Sequence, residues 1–528
     1  MSENKLCMYM SSLVRYEGAT LFIAREDGVK YLFIHGFAGG QIETGGQIET
    51  GGQMEAGGVF DKLEGDIVEL PGGPVKRCPL TNVNAKALQA LFPFTRPSSH
   101  KGRPMTLGLG DRLGLASAGH IRAIREIRRS RDLDVFPVLA QQSIRELNLT
   151  GRTYDDVISA AAWAVFQEGY RDGWGADGDH LKTYDEVTMA LGCGATMITL
   201  DCSEHIRNDI AAMSEGEVDR LYDELDTALR ERLESVYTNK TFIIDEGTVT
   251  CEQAELAELA AQSEQTELAE LTAQCGQATI KFTPGDLKKI ALVYGSAINF
   301  TINIYNDLLV DRDIDFEMSI DETLSTTSPQ AHYFVANELL QAGVKFVSLA
   351  PRFCGEFQKG IDYIGDVGEF EKEFAAHAKI AAKFGYKLSI HSGSDKFSIF
   401  PIAYKETNWK LHIKTAGTNW LEALRVIARN EPALFRRIAE FALENLGEAK
   451  KYYHITENTA NIPDIAAMPG PELPSLLDNN EARQVLHVTY GLILSAAAPS
   501  YKSSIYSVLN KYEEEYYETL VKHIGKHL

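Results

Sequence analysis

The segment GADGDHLK, at residues 175–182, holds side chains that can transfer protons or bind a metal ion. Side chains alternate along an extended chain, so Asp177 and Asp179 lie on one side of a strand and His180 on the other. At a strand end this alternation can break, and Asp179 and His180 can then serve one site. The alternative is that Asp and Gly form a turn and His180 caps the next helix. The segment alone leaves both interpretations open.

A second histidine, His391, follows the apolar run of SIHSGSDKF at residues 389–397. The small residues Ser392, Gly393 and Ser394 come next, in a loop whose backbone N–H groups can approach an anion. A lone histidine in this position is also typical of a packed structural residue. Paired with His180, however, it points to a divalent metal site, because two imidazoles and an oxygen ligand suit Zn, Mn, Fe, Co or Ni. The identity of the cation, Mg included, stays open.

Glu317 stands inside an otherwise apolar strand in IDFEMSIDET, and Asp321 and Glu322 follow it. A carboxylate in such a strand must face a polar cavity or a partner, since burying it alone is costly. We therefore predict a functional role for Glu317, with a core salt bridge as the alternative.

Charged residues after other strand segments are candidates for binding a substrate. Arg352, in LAPRFCGEFQKGIDY at residues 349–363, can bind a carboxylate through two parallel hydrogen bonds. Its alternative role is an ion pair at the rim of the fold. Lys182 and Asp395 also follow strand segments, and together with Arg352 they are the predicted substrate-binding residues.

Short β-rich segments alternate with helical patterns through the middle of the chain. This alternation is typical of parallel βαβ units, and eight strands close a barrel. We therefore predict a TIM-type (β/α)8 barrel, with an open doubly wound sheet as the alternative, and an active site at the carboxyl ends of the strands. An additional strand-like TFIID at 241–245 is either an excursion or a sign that the count is off by one. The eight segments are TLGLGD (106–111), VFPVLA (135–140), GWGADGDH (173–180), TMITLDCS (196–203), IDFEMSIDE (314–322), VKFVSLAPR (344–352), KLSIHSGS (387–394) and LHIKTAG (411–417).

The regions on either side of the barrel differ in character. Alternating segments predict a β-rich cap over residues 1–100, before a catalytic barrel over 101–430. Helical periodicity predicts a helical region over 431–528. Two repeat patches, Gly-rich at 41–58 and Ala/Glu/Leu-rich at 252–275, are predicted to be surface additions without a catalytic role.

Composition excludes several classes of function. With 74 acidic and 52 basic residues the formal charge is −22, which repels phosphate backbones and anionic membranes, so we expect no nucleic-acid partner. No run of eighteen apolar residues and no signal-peptide pattern is visible, so we expect no membrane association. The seven cysteines are dispersed without CxxC spacing, which is typical of reduced thiols in a cytoplasmic protein. The oligomeric state stays open.

Several long motifs closely resemble the tagaturonate epimerase family, from about residue 103 to 420. The resemblance implies a metal-dependent epimerase that interconverts D-tagaturonate and D-fructuronate in hexuronate catabolism. The two repeat patches are departures that fall outside every motif. The motifs are GLGDRLGLA, PVLAQQSIRELNLTGRTYDDV, FQEGYRDGWGADGDHLK, MITLDCSEHI, DFEMSIDET, TSPQAHYFVANEL and SIHSGSDKF.

Matched residue by residue, the resemblance also implies a set of metal ligands. His180 and His391 match two of them. The third is placed at Gln358 by spacing, with Glu356 as the alternative.

Asp179 matches the family's proton acceptor and Glu317 its proton donor. The two sugars differ at a hydroxyl-bearing carbon β to the ketone, and the carbonyl does not make that C–H acidic. A retro-aldol route avoids the difficulty, because the carbon–carbon bond breaks, the aldehyde fragment rotates and the bond re-forms. Transient hydride chemistry is the alternative. The competing functions are a class II sugar aldolase or isomerase and a non-catalytic subunit of such an aldolase.

Overall fold

The structure is a computed structural model that describes most of the chain. The described residues are 6–36, 59–100, 102–244, 278–415, 417–456, 458–496 and 501–528. Both repeat patches, at 41–58 and 252–275, lie outside these ranges, so what we expect of them stays a prediction.

The N-terminal region forms an antiparallel sheet of six strands, as its alternating segments predict. The strand order is β1-β3-β4-β6-β5, and β2 pairs with β3. Leu88 of the helix that follows the sheet packs with Trp163 and Phe166 of a barrel helix, so the cap lies against the side of the barrel. The elements are β1 Cys7–Met8, β2 Val14–Tyr16, β3 Ala19–Glu26, β4 Val29–His35, α1 Val59–Lys62, β5 Asp66–Leu70, β6 Gly73–Pro79 and α2 Asn82–Leu91.

The eight predicted segments form a closed parallel barrel, which confirms the fold class. Each strand pairs in parallel with the next, and the last pairs with the first. The strands are β7 Met105–Leu109, β8 Val135–Ser143, β9 Gly175–Leu181, β10 Met197–Asp201, β13 Asp315–Ile320, β14 Ser348–Pro351, β15 Lys387–Ile390 and β16 Leu411–Thr415.

Strand β13 shows how the sequence places polar groups inside the barrel. Its residues are all buried and alternate in type. Phe316, Met318 and Ile320 belong to the apolar core cluster. Glu317, on the opposite face, contacts Lys414 from β16. The barrel interior is therefore polar where the chemistry is expected, while its outer face packs on the helices.

The helices that follow the strands begin at side-chain caps in several places, Thr183 and Glu186 forming a capping box at one of them. The helices are α3 Ser117–Arg131, α4 Ile144–Thr150, α5 Tyr154–Gln167, α6 Tyr184–Cys193, α7 Glu215–Asp223, α8 Thr227–Tyr237, α9 Pro284–Ile304, α10 Pro329–Gln341, α11 Val367–Phe384, α12 Phe400–Thr407 and α13 Thr418–Asn430. None of the helices in the described ranges has the length and the apolar sequence needed to cross a membrane.

The strand-like TFIID is an excursion, and the count of eight is correct. Strand β11 (Thr241–Ile244) pairs antiparallel with β12 (Ala278–Lys281) in a separate hairpin. This hairpin lies between β10 and β13 in the chain, apart from the barrel sheet.

Removing residues 252–275 is expected to leave turnover and the thermal midpoint close to those of the full chain. Ile244 and Ala278 are directly paired in the hairpin, so residues 245–251 and 276–277 can still connect the two strands. Steady-state kinetics and a thermal melt check this. Lost turnover in a variant that keeps its circular dichroism spectrum would show that the patch contributes to the site.

The C-terminal region is helical, as predicted, and packs on the barrel. Trp420 and Leu424 of α13 share one apolar cluster with Phe435, Leu486 and Tyr516 from the helices that follow. Those helices are α14 Pro432–Glu444, α15 Leu446–Ala449, α16 Asn480–Val488, α17 Tyr490–Ser495, α18 Tyr501–Lys511 and α19 Glu513–Ile524.

Candidate active site

A cavity of about 450 Å³ opens at the carboxyl ends of the barrel strands. A narrower recess, lined by Asp179, His180 and Lys414, continues it toward the barrel axis. The two spaces share His391 and Asp321 in their walls. The predicted proton acceptor and both predicted histidine ligands therefore meet in one site.

The alternation of side chains breaks at His180, one of the two arrangements that the sequence leaves open. His180 has a φ of 52°, in the left-handed region that non-glycine residues rarely adopt. Its side chain therefore faces the recess beside Asp179, with 3.9 Å between His180 Nε2 and Asp179 Oδ1. Helix α6 is capped by Thr183 instead, so His180 is not needed as a cap. Strained backbone of this kind concentrates at functional sites.

The two imidazoles and Asp321 have the arrangement of a metal-binding group. Their ligand atoms lie within 4.8 Å of one another. The ring centroids of His180 and His391 are 4.8 Å apart. Within the described part of the chain, His180 Nδ1 and His391 Nδ1 are buried without a hydrogen-bond partner. His180 Nδ1 lies 3.5 Å from Asp201 Oδ2, and buried imidazole nitrogens that face carboxylates without hydrogen-bonding to them fit a divalent cation.

Glu317 orients His391 through the ring nitrogen on the other side. His391 Nε2 lies 2.7 Å from Glu317 Oε1, while His391 Nδ1 lies 3.2 Å from Asp321 Oδ1. Metal-binding histidines commonly donate their second N–H to a carboxylate, which fixes the ring and its tautomer. Burial opposes the charged imidazole, but Asp321 and Glu317 raise the pKa of His391 to about 10.

Lys414 lies at the centre of three buried carboxylates. Its Nζ is 2.7 Å from Asp179 Oδ1, 3.0 Å from Glu317 Oε1 and 3.2 Å from Asp177 Oδ2. Thr199 Oγ1 also accepts a hydrogen bond from it at 2.5 Å. The lysine therefore joins the predicted proton acceptor to the predicted proton donor.

The ammonium group of Lys414 keeps both Asp179 and Glu317 negatively charged. Burial disfavours their charged forms, but Lys414 lowers the pKa of Asp179 and holds the pKa of Glu317 well below its usual range. Two residues before Asp179 on the same strand, burial raises the pKa of Asp177 to about 6. Asp179 and Glu317 are therefore both ionised in the resting site.

The predicted third ligand, Gln358, is directed elsewhere. Its Oε1 accepts hydrogen bonds from Thr456 at 3.0 Å and from Gln484 Nε2 at 2.8 Å. The alternative, Glu356, is exposed at the cavity mouth. Among the described residues, the carboxylate that meets the two imidazoles is Asp321. The spacing in the sequence led to Gln358, which does line this cavity. The geometry favours Asp321, another residue of the same cavity, as the third ligand.

The three predicted substrate-binding residues have different surroundings. Arg352 lines the cavity, and its guanidinium makes no ion pair within the described ranges. Lys182 Nζ lies 3.6 Å from Asp201 and 3.4 Å from Glu204, so its charge is balanced by protein carboxylates. Asp395 lines a separate cavity, so it is not brought to this site.

A family model described as tagaturonate epimerase matches residues 9–266 and 262–528. The chain belongs to the tagaturonate epimerase family. A tagaturonate/fructuronate epimerase of Thermotoga maritima is 39% identical over 453 residues, covering 85% of each chain. Two crystal structures of a fructuronate-tagaturonate epimerase from Cohnella laeviribosi, native and with one glycerol, are each 44% identical over 99% of this chain and 96% of theirs. Their TM-scores are 0.86 and 0.85.

Membership of the tagaturonate epimerase family confirms the family expected from the motifs and, with it, an isomerase of the epimerase class. The sequence motifs did not reveal the part played by three residues. Asp321 and Lys414 were recognisable only as polar residues at strand ends. Arg145, which lines the cavity beside Lys359, gave no signal because it follows the strand end within a helix. A lysine inside the apolar strand LHIKT is the signal that could have been matched to Glu317.

Proposed function

We propose that this protein is a metal-dependent epimerase that interconverts D-tagaturonate and D-fructuronate by breaking and re-forming a carbon–carbon bond. One observation carries the proposal. A metal-binding group of two imidazoles and a carboxylate lies next to two ionised acids, Asp179 and Glu317, that share one buried lysine. The names of the relatives in Thermotoga and Cohnella support the choice of sugars.

The cation would be held by His180, His391 and Asp321. When bound, it supplies a Lewis acid that polarises the substrate ketone. The two nitrogen ligands and one oxygen ligand suit Mn, Fe, Co, Ni or Zn. Glu317 then acts behind His391 and keeps its ring in place.

Asp179 is the base in this proposal. It lines the recess beside the metal-binding group and is ionised, so it can take the proton of the substrate hydroxyl on the carbon that inverts. Removing that proton lets the bond between this carbon and the neighbouring carbon next to the ketone break, which leaves an aldehyde and the enolate of the ketone fragment, which takes the bonding electron pair. Rotation of the aldehyde and closure of the bond give the epimer.

Lys414 provides a path for the proton between the two acids. Its Nζ is within hydrogen-bond distance of both Asp179 Oδ1 and Glu317 Oε1. Because Glu317 is ionised at rest, it can act as a donor only after receiving a proton. Lys414 can pass one on by donating to Glu317 while it accepts from Asp179.

Unpaired cations in the cavity match an anionic substrate. Lys359 Nζ donates to Ser392 Oγ at 2.8 Å and makes no ion pair with a carboxylate in the described ranges. Arg145 stacks on the ring of Tyr453 at 5.0 Å and likewise makes no ion pair there. Together with Arg352 these residues place three positive groups in one cavity of a protein with a formal charge of −22. We assign them to the substrate carboxylate.

Replacing Arg352 by glutamine is expected to lower kcat/KM for the hexuronate by about 10- to 100-fold, mainly through KM. A hydrogen bond to a charged group contributes about 1.5–3 kcal/mol, and glutamine cannot supply the charge. The corresponding neutral ketohexose, which has CH₂OH in place of the carboxylate, should show no comparable loss. Arg207→Gln, at a surface ion pair with Asp209, is the matched control. Equal losses on both sugars would contradict the assignment.

Proton NMR of the purified protein with D-tagaturonate and added Mn²⁺ or Ni²⁺ tests the proposed function. We expect D-fructuronate to accumulate until the two epimers reach equilibrium. Net formation of three-carbon products would indicate an aldolase. Sugar binding without turnover would indicate a non-catalytic subunit. Either of these results would reject the proposal.

A further inference from the structure

We propose a second divalent-cation site, formed by Asp395, His523 and His527, that joins the C-terminal helix to the loop after the strand of His391. It uses none of the residues assigned to catalysis. The chemistry of two imidazoles and one carboxylate favours Zn²⁺ with a water as fourth ligand.

The three residues come from two parts of the chain. His523 lies in the last turn of α19, and His527 lies four residues later in the short 3₁₀ turn Gly525–His527. Asp395 belongs to the loop between β15 and α12. All three are buried, with exposures of 4% for Asp395, 5% for His523 and 1% for His527. Their ligand atoms lie within 4.8 Å of one another.

Two of the ligand atoms lack a hydrogen-bond partner in the described part of the chain. Asp395 Oδ1 and His523 Nε2 face each other at 3.5 Å, yet neither makes a hydrogen bond. Leaving a buried polar atom unsatisfied destabilises the folded protein, and a charged group does so most. A cation between the two atoms would satisfy both.

His527 has the tautomer that a third ligand requires. Its Nδ1 lies 3.2 Å from the carbonyl oxygen of His523, which can only accept, so Nδ1 carries the proton. The lone pair of Nε2 is then directed to the Asp395 loop, where it accepts a long hydrogen bond of 3.3 Å from the Asp395 N–H. A small shift of this loop would break that long hydrogen bond and leave the Nε2 lone pair free to bind a cation.

Outer contacts already hold the ligands in place. Arg483 Nη2 donates to Asp395 Oδ2 at 2.7 Å, leaving Oδ1 for the cation. His523 Nδ1 lies 3.5 Å from Glu422 Oε1, a carboxylate behind the imidazole. Such contacts orient metal ligands and raise their basicity. Lys522 and Lys526 are exposed at the cavity rim, so their charges can stay in water.

The proposed site would stabilise a strained loop next to the active site. Ser392 and Asp395 both have positive φ, 49° and 62°, within four residues of His391. A cation that binds only the folded protein adds stability in proportion to its affinity. Binding here would therefore fix the loop that positions His391.

The proposal is tested by measuring zinc binding to a full-length variant whose active-site metal-binding group (His180, His391 and Asp321) has been disabled. The background variant carries His180→Ala and Asp321→Asn, which removes ligands of the active site alone. After chelation and dialysis against Zn²⁺, elemental analysis is expected to find about one equivalent of zinc, and the thermal midpoint should rise by several degrees. Adding His523→Gln should abolish both effects, while His205→Gln, at a histidine stacked on Phe300, should change neither.

If the His523→Gln variant does not fold, Asp395→Asn takes its place in the experiment. The amide has the shape of the Asp395 carboxylate and can still accept the hydrogen bond from Arg483. This substitution should weaken zinc binding at least tenfold. A background variant that binds no zinc, or zinc that persists in either added variant, would overturn the second site. The second site and the proposed function can fail separately. If the background variant binds no zinc but the wild type epimerises the sugar normally, only the second site is rejected.

Discussion

Replacing Asp179 by asparagine is expected to lower kcat by about 10²- to 10⁴-fold while the protein keeps its bound metal. The amide has nearly the shape of the carboxylate but cannot accept the hydroxyl proton. Asp179 is not one of the three proposed ligands, so elemental analysis should give the wild-type metal content. Steady-state kinetics and metal analysis on the same preparation check both parts.

Asp177→Asn is the matched control for this experiment. Asp177 is the same residue type on the same strand and contacts the same lysine, at 3.2 Å, but it does not line the cavity. We expect a much smaller loss of kcat than for Asp179→Asn. Equal losses would mean that both substitutions act by disturbing Lys414, and that Asp179 is not the base.

His180→Ala and His391→Ala are each expected to lose one equivalent of metal and at least about 10³-fold in turnover. A bound cation contributes several kcal/mol of charge stabilisation in the transition state, and each 1.36 kcal/mol is a factor of ten in rate. Chelation of the wild type should abolish turnover in the same way, and added Mn²⁺ or Ni²⁺ should restore it.

His454→Ala provides the control, because His454 lines the same cavity but is exposed and lies outside the metal-binding group. It should keep its metal. Wild-type metal content in both His180→Ala and His391→Ala would contradict the assignment of these residues. The count is made relative to the wild type, so zinc held at the second site does not obscure it.

The barrel could be predicted from sequence because its signal is local. Seven of the eight strands are short, mostly apolar runs, the exception being GADGDHL at 175–181, and strands alternate with helical patterns along the chain. The TFIID segment carries the same local signal as a barrel strand. Its partner, β12, comes only after the 252–275 patch, so the sequence does not show that the two form a separate hairpin.

The site could be predicted in part, for a physical reason. Glu317 and His391 carry local signals, since each is a polar residue inside or directly after an apolar strand, and His180 stands out because it follows two aspartates at a strand end. The roles of Lys414 and Asp321 depend on which side chains face each other across the barrel. That follows from the closure and register of strands far apart in sequence, as in the contact between Lys414 and Glu317. Gln358 was placed by spacing through a loop, where spacing does not fix direction.

Proton NMR of the epimerisation in D₂O tests the central claim most directly. If Asp179 removes a hydroxyl proton and the carbon–carbon bond breaks, the hydrogen on the inverted carbon never leaves it. We therefore expect D-fructuronate formed from D-tagaturonate to carry no deuterium at that carbon, even after many turnovers. Deuterium there in stoichiometric amount would contradict the account, since it would show that the proton is removed from carbon.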